Sequence, residues 1–393
     1  MGSEFNRQAQ ARAVIETAKE LLNEGLVART WGNLSARVSA DHFLITPSGR
    51  DYRQLLATDL VDVDLEGIWD GARKPSSEKG IHALIYKARL DAKFIVHTHQ
   101  PYASAISLGK EAFDLPAELA ELLGSATLPI ASYGLPGTKA LHKAMIAQVQ
   151  ATGSRAILMR AHGLMAFGED AAEALKIAQA VEKFARSVYL KRVKIVPEDT
   201  PEAGEAGSGS GNCKLTAERL WTRANLATPS RKKSEDDDAG ALVREDKVRA
   251  EVAALFAARP EVQCIIGESD PAVMAHSTGL KPYLDDYSQL IGLRAGTVKE
   301  TVTQAQGLVH GKLLKVLGKA GVPDMGKANV AFGEYAYCMG KDAEEAEAIQ
   351  MVLHKNALAA SFARTYAVKP LKQADALLQR SVYALKYSKL KDK

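Results

Sequence analysis

Apolar residues recur at roughly helical spacing over residues 6–26, at Ala13, Ile15, Ala18, Leu21 and Leu22. The same pattern predicts helices over 78–89 (EKGIHALIYKAR), 138–150 and 170–192. Between them lie shorter runs rich in β-branched residues and turn formers. GLVARTWGNLSAR and FLITPSGR read as strands meeting at loops, and KFIVHTH and AILMRAHGLMAF as further strands. Strands and helices mix through residues 1–195, which predicts an α/β domain.

The pattern then breaks. Residues 197–212 (PEDTPEAGEAGSGSGN) and 229–240 (PSRKKSEDDDAG) carry almost no apolar content, as solvated connecting segments do. We therefore expect a catalytic-type domain over 6–195, a flexible linker over 196–240 and a second domain over 241–393. The intervening LTAERLWTRANL reads as a short docking helix.

The second domain repeats part of the first. At an offset of 170 residues, Ala83–Ser107 and Ala253–Ser277 share seven of 25 identities, including Ile95 with Ile265 and Pro101 with Pro271. At an offset of 172, GEDAAEALKIAQAVEKFA and GKDAEEAEAIQMVLHKNA share eight of 18. Two matches in the same order point to a diverged internal duplication. Under these offsets His97 becomes Gly267, His99 becomes Ser269, Glu78 becomes Val248 and His162 becomes Glu334. Glu268, Asp270 and Glu334 would be an oxygen-ligand set for a harder metal, but a copy that kept the scaffold and lost the chemistry is the better reading. His276, His310 and His354 have no evident partners in sequence.

Composition narrows the class. The chain has 393 residues, 46% hydrophobic and 25% charged, with a formal net charge of +4. That weak, dispersed charge argues against a nucleic-acid partner. No run of 18 apolar residues suggests a membrane span, and no charged-then-apolar leader suggests secretion. Three scattered cysteines fit a reducing compartment, so the expectation is a cytoplasmic protein.

Candidate chemistry concentrates in the first domain. His97 and His99 alternate along a strand and project to one face, the start of a zinc-type site that needs a third ligand. His162, in a turn beside Gly163, is the best third ligand. His42 lies at a turn, and His82 and His142 on helices suit the role less. Glu78 opens a helix after Ser76 and Ser77. That is an ordinary helix start, or a carboxylate near a metal serving as ligand or base. Three loops offer backbone N–H groups and small polar side chains to an anion: Thr30, Gly32, Asn33 and Ser35; Ser48, Gly49 and Arg50; Ser76 and Ser77.

The order GNLS, TPSG, PSSE, HTH and AHG resembles the class II aldolase/adducin family over about residues 8–192. That family includes fuculose-phosphate and rhamnulose-phosphate aldolases, ribulose-phosphate 4-epimerase and methylthioribulose-phosphate dehydratase. The resemblance implies a three-layer α/β fold with a central, mostly antiparallel sheet flanked by helices, followed here by a diverged second copy. It implies Zn2+ or another divalent metal on His97, His99 and His162, Glu78 as the catalytic acid–base, and Thr30, Gly32, Asn33, Ser48, Gly49, Ser76 and Ser77 at a substrate phosphate. The implied reaction is C–C cleavage of a phosphorylated ketose through a zinc-stabilised enediolate, in a homo-oligomer. Alternatives are a sugar-phosphate epimerase or dehydratase, or an adducin-like interaction protein without catalysis. The epimerase branch reads PSSD where this chain reads PSSE. The proton-donating tyrosine has no confident match, Tyr133 being the tyrosine near that region.

Overall fold

The computed structural model describes residues 6–27, 31–110, 112–194, 220–226, 239–305 and 328–383. The first helix, Arg7–Asn23, is capped by Asn6, whose side chain accepts from the N–H groups of Gln8 and Ala9. It buries Val14, Ala18 and Leu21. Strands β1 (Asn33–Arg37), β2 (His42–Ile45) and β3 (Val61–Asp64) precede the helix Lys79–Ala88 and strand β4 (Phe94–Thr98). A short helix, Pro101–Ile106, follows. After it come β5 (Phe113–Asp114), β6 (Thr127–Leu128), β7 (Ile130–Ala131), the helix Lys139–Thr152, β8 (Ala156–Met159), β9 (Gly163–Gly168) and the helix Ala171–Arg192.

Seven of these strands form one sheet in the order β3-β2-β1-β4-β9-β8-β7. All neighbours are antiparallel except β7 and β8. Both faces are covered. One cluster contains Ile81, Ile85 and Tyr86 with Leu141 and Met145, against Phe43, Ile95 and Phe167. The other contains Val14 and Leu21 with Ile177 and Val181, against Leu34, Val96 and Leu164. Strand alternation accounts for this, since Ile95 and Val96 point to opposite faces.

The second half holds β10 (Leu220–Thr222), the helix Ala239–Ala258, β11 (Cys264–Glu268), β12 (Gly296–Thr297), β13 (Val330–Phe332), β14 (Ala336–Gly340) and the helix Ala343–Thr365. Its sheet order is β10-β11-β14-β13-β12. This repeats β1-β4-β9-β8-β7 with the same orientations, including the single parallel pair at the end. The registers also coincide. Phe94 faces Gly168 and Thr98 faces Leu164, as Cys264 faces Gly340 and Glu268 faces Ala336. These are the offsets of 170 and 172 read from the sequence.

Two differences separate the sheets. No described strand in the second half matches β2 and β3, which frame the TPSG loop. The hairpin that carries His162 is also contracted. Residues 159–163 separate the paired Leu158 and Leu164, whereas only 333–335 separate Phe332 and Ala336.

Residues 220–226 correct the expected linker. Leu220–Thr222 is an edge strand on β11, and helix begins only at Arg223. The Trp221 ring lies 6.0 Å from those of both Tyr335 and Tyr337 and packs over Gly267. This aromatic contact, invisible to helical periodicity, holds the segment in the sheet.

The two halves share a core. Ala343–Thr365 is buried over much of its length, with Met351 and both ends exposed. Its Ile349, Val352 and Leu353 join the second-half cluster. Its Leu358, Ala359 and Phe362 join the first-half cluster that contains Ala103 and Ile106.

Candidate metal centre

His97 sits near the end of β4, the strand between β1 and β9. The chain leaves the strand at Thr98, and Pro101 begins the next helix at a position where a missing N–H costs nothing. Gln100 ties this exit down by donating to the Ala178 carbonyl, 3.0 Å away. Glu182 accepts from the N–H groups of Tyr102 and Ala103. His99 is thereby held just past the strand, its ring centroid 4.8 Å from that of His97.

His162 comes from the β8–β9 turn, where Ala161 adopts a positive φ of 61°. A side chain on Gly163 would collide with the Thr98 carbonyl, so only glycine lets this turn close against β4. Gly32 plays the same part on the other side: a Cβ there would lie 2.5 Å from the His97 carbonyl oxygen. The His97 and His162 rings are stacked with centroids 5.0 Å apart.

Glu78 occupies the N-cap position of Lys79–Ala88 without a side-chain capping bond, and the Ser76 hydroxyl accepts from its N–H. Its Oε1 lies 3.0 Å from His162 Nε2 and its Oε2 lies 3.1 Å from His97 Nε2. His97 Nε2 is in turn 3.0 Å from His99 Nε2. The three histidines form the one group of metal-ligating residues found among the described residues, their ligand atoms within 4.8 Å of one another. All three are buried, as is Glu78. Three imidazole nitrogens and one carboxylate are a donor set that zinc takes, and the residues present fit such an ion.

The electrostatics follow from this crowding. Burial works to raise the Glu78 carboxyl, but His97, His162 and Asn33 outweigh it and hold the group well below the usual carboxylate range. Burial works to lower the His162 imidazole, but Glu78 and Asp285 outweigh it and raise the group to about 10. Burial lowers His97 and His99, with neighbouring cations adding to the effect.

His82 has a role that its helical position concealed. It lies one turn after Glu78 on the same helix face and is fully buried. Its Nε2 donates to Asn33 Oδ1 at 2.5 Å, and Asn33 Nδ2 donates to Glu78 Oε2 at 2.8 Å. Ser35 donates to His82 Nδ1 at 2.6 Å and accepts from Tyr86, 2.8 Å away. Burial drops the His82 imidazole to about 3, so it stays neutral and orients Asn33 and Glu78. The spacing of Glu78 and His82 was the available signal.

The anion-loop residues are placed as follows. Thr30 lies outside the described residues. A bridge between Pro47 and Pro75 sets the Ser48–Gly49 loop beside the Ser76–Ser77 loop. Ser77 is exposed and Ser48 and Gly49 are half-buried. The Gly32 carbonyl accepts from Tyr52 at 2.7 Å. Asn33 faces His97 across the β1–β4 ladder and is engaged by Glu78 and His82, leaving one amide hydrogen for another partner.

The second-half candidates do not converge. Glu268 accepts from the Asp270 N–H and from Gln350, while Glu334 pairs with Arg244 and Lys247 on the surface. His276 does have partners: Arg364 donates to its Nδ1 at 2.7 Å, and Ser361 lies 3.1 Å from its Nε2. His354 is half-buried, 3.9 Å from Asp270. His310 lies outside the described residues.

Residues 12–189 match the family described as the Class II Aldolase and Adducin N-terminal domain. The chain is 35% identical over 204 residues to the 5-methylthioribulose-1-phosphate/5-deoxyribulose-1-phosphate aldolase of Rhodospirillum rubrum, covering 50% of this chain and 90% of that protein. The chain belongs to the class II aldolase and adducin family. It is also 32% identical over 191 residues to the L-fuculose phosphate aldolase of Escherichia coli K12, covering 49% of this chain and 87% of that one. Among solved structures, the L-fuculose-1-phosphate aldolase of Thermus thermophilus is similar at 28% identity and a TM-score of 0.42, covering 47% of this chain and 95% of that one. These matches fall on about half of this family member, the half that holds the three histidines and Glu78.

Proposed function

We propose that this protein is a zinc-dependent lyase that cleaves a C–C bond of a phosphorylated ketose, with the second half a diverged copy that has lost the chemistry. The observation that carries the reading is the convergence of His97 and His162 Nε2 on Glu78, with His99 Nε2 3.0 Å from His97 Nε2, in a member of an aldolase family. Its relatives named above act on 5-methylthioribulose 1-phosphate, 5-deoxyribulose 1-phosphate and L-fuculose phosphate, which share a ketose-phosphate framework. The retained ligand set weighs against a purely structural, adducin-like role.

His97, His99 and His162 hold the metal. A divalent metal in this site supplies Lewis-acid polarisation of substrate oxygens and stabilises the charge that develops as the bond breaks. The electron pair of that bond stays on the phosphorylated ketone fragment, and the other fragment leaves as an aldehyde as its hydroxyl proton passes, directly or through water, to the Glu78 carboxylate. Glu78 delivers a proton to the carbon that received the pair, and takes it in the reverse direction. Asn33 and His82 fix its direction. Thr30, Gly32, Ser48, Gly49, Ser76 and Ser77, with the remaining Asn33 amide hydrogen, hold the phosphate and turn binding into orientation.

A screen of ketose 1-phosphates and 5-phosphates for aldehyde release tests this reading. Wild-type protein is expected to cleave at least one of them, and Glu78→Gln to slow turnover by about 10²–10⁴-fold, the range for a lost acid–base group. Full turnover by Glu78→Gln would remove the proton-transfer assignment. Epimerisation or water loss without aldehyde release would remove the C–C cleavage.

A further inference from the structure

A metal-binding imidazole presents one ring nitrogen to the ion, and its other nitrogen needs an acceptor to fix the tautomer and the ring direction. In this site the Nε2 atoms turn inward, so the question is what meets the three Nδ1 atoms. For His97 the answer lies in its own half: Nδ1 donates to the Leu164 carbonyl at 2.8 Å, across the β4–β9 ladder. For the other two it lies in the opposite half of the chain.

Asp285 and Asp286 open the helix Asp285–Leu290, and each is only 1% exposed. His162 Nδ1 donates to Asp285 Oδ2 at 3.0 Å. Asp285 is itself fixed: its N–H donates to the Ala161 carbonyl at 2.9 Å, and its Oδ1 accepts from Tyr133, 3.2 Å away, and from Gln379. The neighbouring Asp286 Oδ2 lies 3.5 Å from His99 Nδ1. His99 Nδ1 and Asp286 Oδ1 are both buried with no hydrogen-bond partner among the described residues. Lys355, also buried, pairs with Asp286 and donates to the His99 carbonyl at 3.2 Å. Two adjacent carboxylates thus stand behind two adjacent ligands, each braced by further second-half side chains.

We propose that the second half works as a positioning module for the metal centre: Asp285 and Asp286 orient His162 and His99 through their Nδ1 atoms, with Lys355 and Gln379 bracing the carboxylates. None of the four touches the reacting atoms. A buried carboxylate pair is costly to desolvate, and an interface between two apolar faces has no need of one. A donor-orienting role explains why both acids point at histidine nitrogens. On this view the second copy lost its own ligands but remains necessary to the site of the first. The inference rests on the metal-binding reading above.

Zinc affinity, measured by competition with a chromogenic chelator on metal-stripped and refilled full-length protein, tests it. Asp285→Ala and Asp286→Ala are expected to weaken affinity about 10–100-fold, the usual cost of losing such a partner. Asp285→Asn, which still offers an oxygen acceptor, is expected to recover part of that loss. The thermal midpoint of the metal-free protein, followed in parallel, separates this effect from a folding defect. Alanine variants that hold zinc as tightly as wild type, while His162→Ala has lost it, would overturn the positioning role and leave the metal reading intact. A wild-type protein that takes no zinc would overturn both. The imidazole nitrogen resonances of zinc-loaded wild type give a second readout that needs no variant. All three histidines should carry the proton on Nδ1 and the metal on Nε2, and ligation of His162 or His99 through Nδ1 would contradict the proposal.

Discussion

His82 shows how a single residue can belong to the site without touching it. It is buried among Ser35, Asn33 and Tyr86, and its neutrality keeps the hydrogen-bond chain running toward Glu78. That neutrality has a measurable consequence. Burial depresses the folded pKa to about 3, below the ordinary histidine value near 6.5. Between those values the unfolded chain binds a proton that the folded chain refuses, so stability falls as pH falls below about 6.5 and the loss is complete near 3. Urea unfolding of metal-free His82→Gln at pH 6 and pH 5 should show a slope shallower than wild type by about 1.4 kcal/mol per pH unit, one proton's worth. An unchanged slope would mean that His82 is protonated in the folded state. Residue-level chemistry was legible in the sequence where spacing encodes it: His97 and His99 two apart on a strand, His162 before a glycine, Glu78 after two serines. Asp285 and Asp286 were not legible, because they reach His162 and His99 from more than 120 residues away and no local pattern marks them.

At the scale of elements, the site depends on how closely the β8–β9 turn approaches β4. Gly163 makes that approach, with no room for a Cβ beside the Thr98 carbonyl. Gly163→Ala is expected to push the turn off the strand and to destabilise the protein by about 1–3 kcal/mol, as overpacking does. It should also loosen zinc, because His162 is the preceding residue. Unfolding midpoints and chelator competition check both effects, and a variant that binds zinc normally would show that the turn has slack. The four long first-half helices read from apolar spacing match Arg7–Asn23, Lys79–Ala88, Lys139–Thr152 and Ala171–Arg192. Long periodic segments declare themselves in this way. Leu220–Thr222 did not, because three residues are too few to show alternation and its reason to be a strand is the edge of β11.

At the scale of the molecule, the two halves are joined by one helix that belongs to both cores, Ala343–Thr365. Its first half covers the second sheet, and its last turns lie against Pro101–Ile106, directly after the strand that carries His97. The two sequence offsets reappear as two sheets with matching order and register. Their packing was not legible, since an offset says what resembles what and not what touches. None of the described helices is long and apolar enough to cross a membrane. The account as a whole turns on one buried ion held by His97, His99 and His162. Elemental analysis of purified wild type and His162→Ala, each equilibrated with zinc and then dialysed, tests that claim most directly. The account predicts one zinc per wild-type chain and little or none in the variant. A wild type without zinc, or a variant that keeps it, would contradict it.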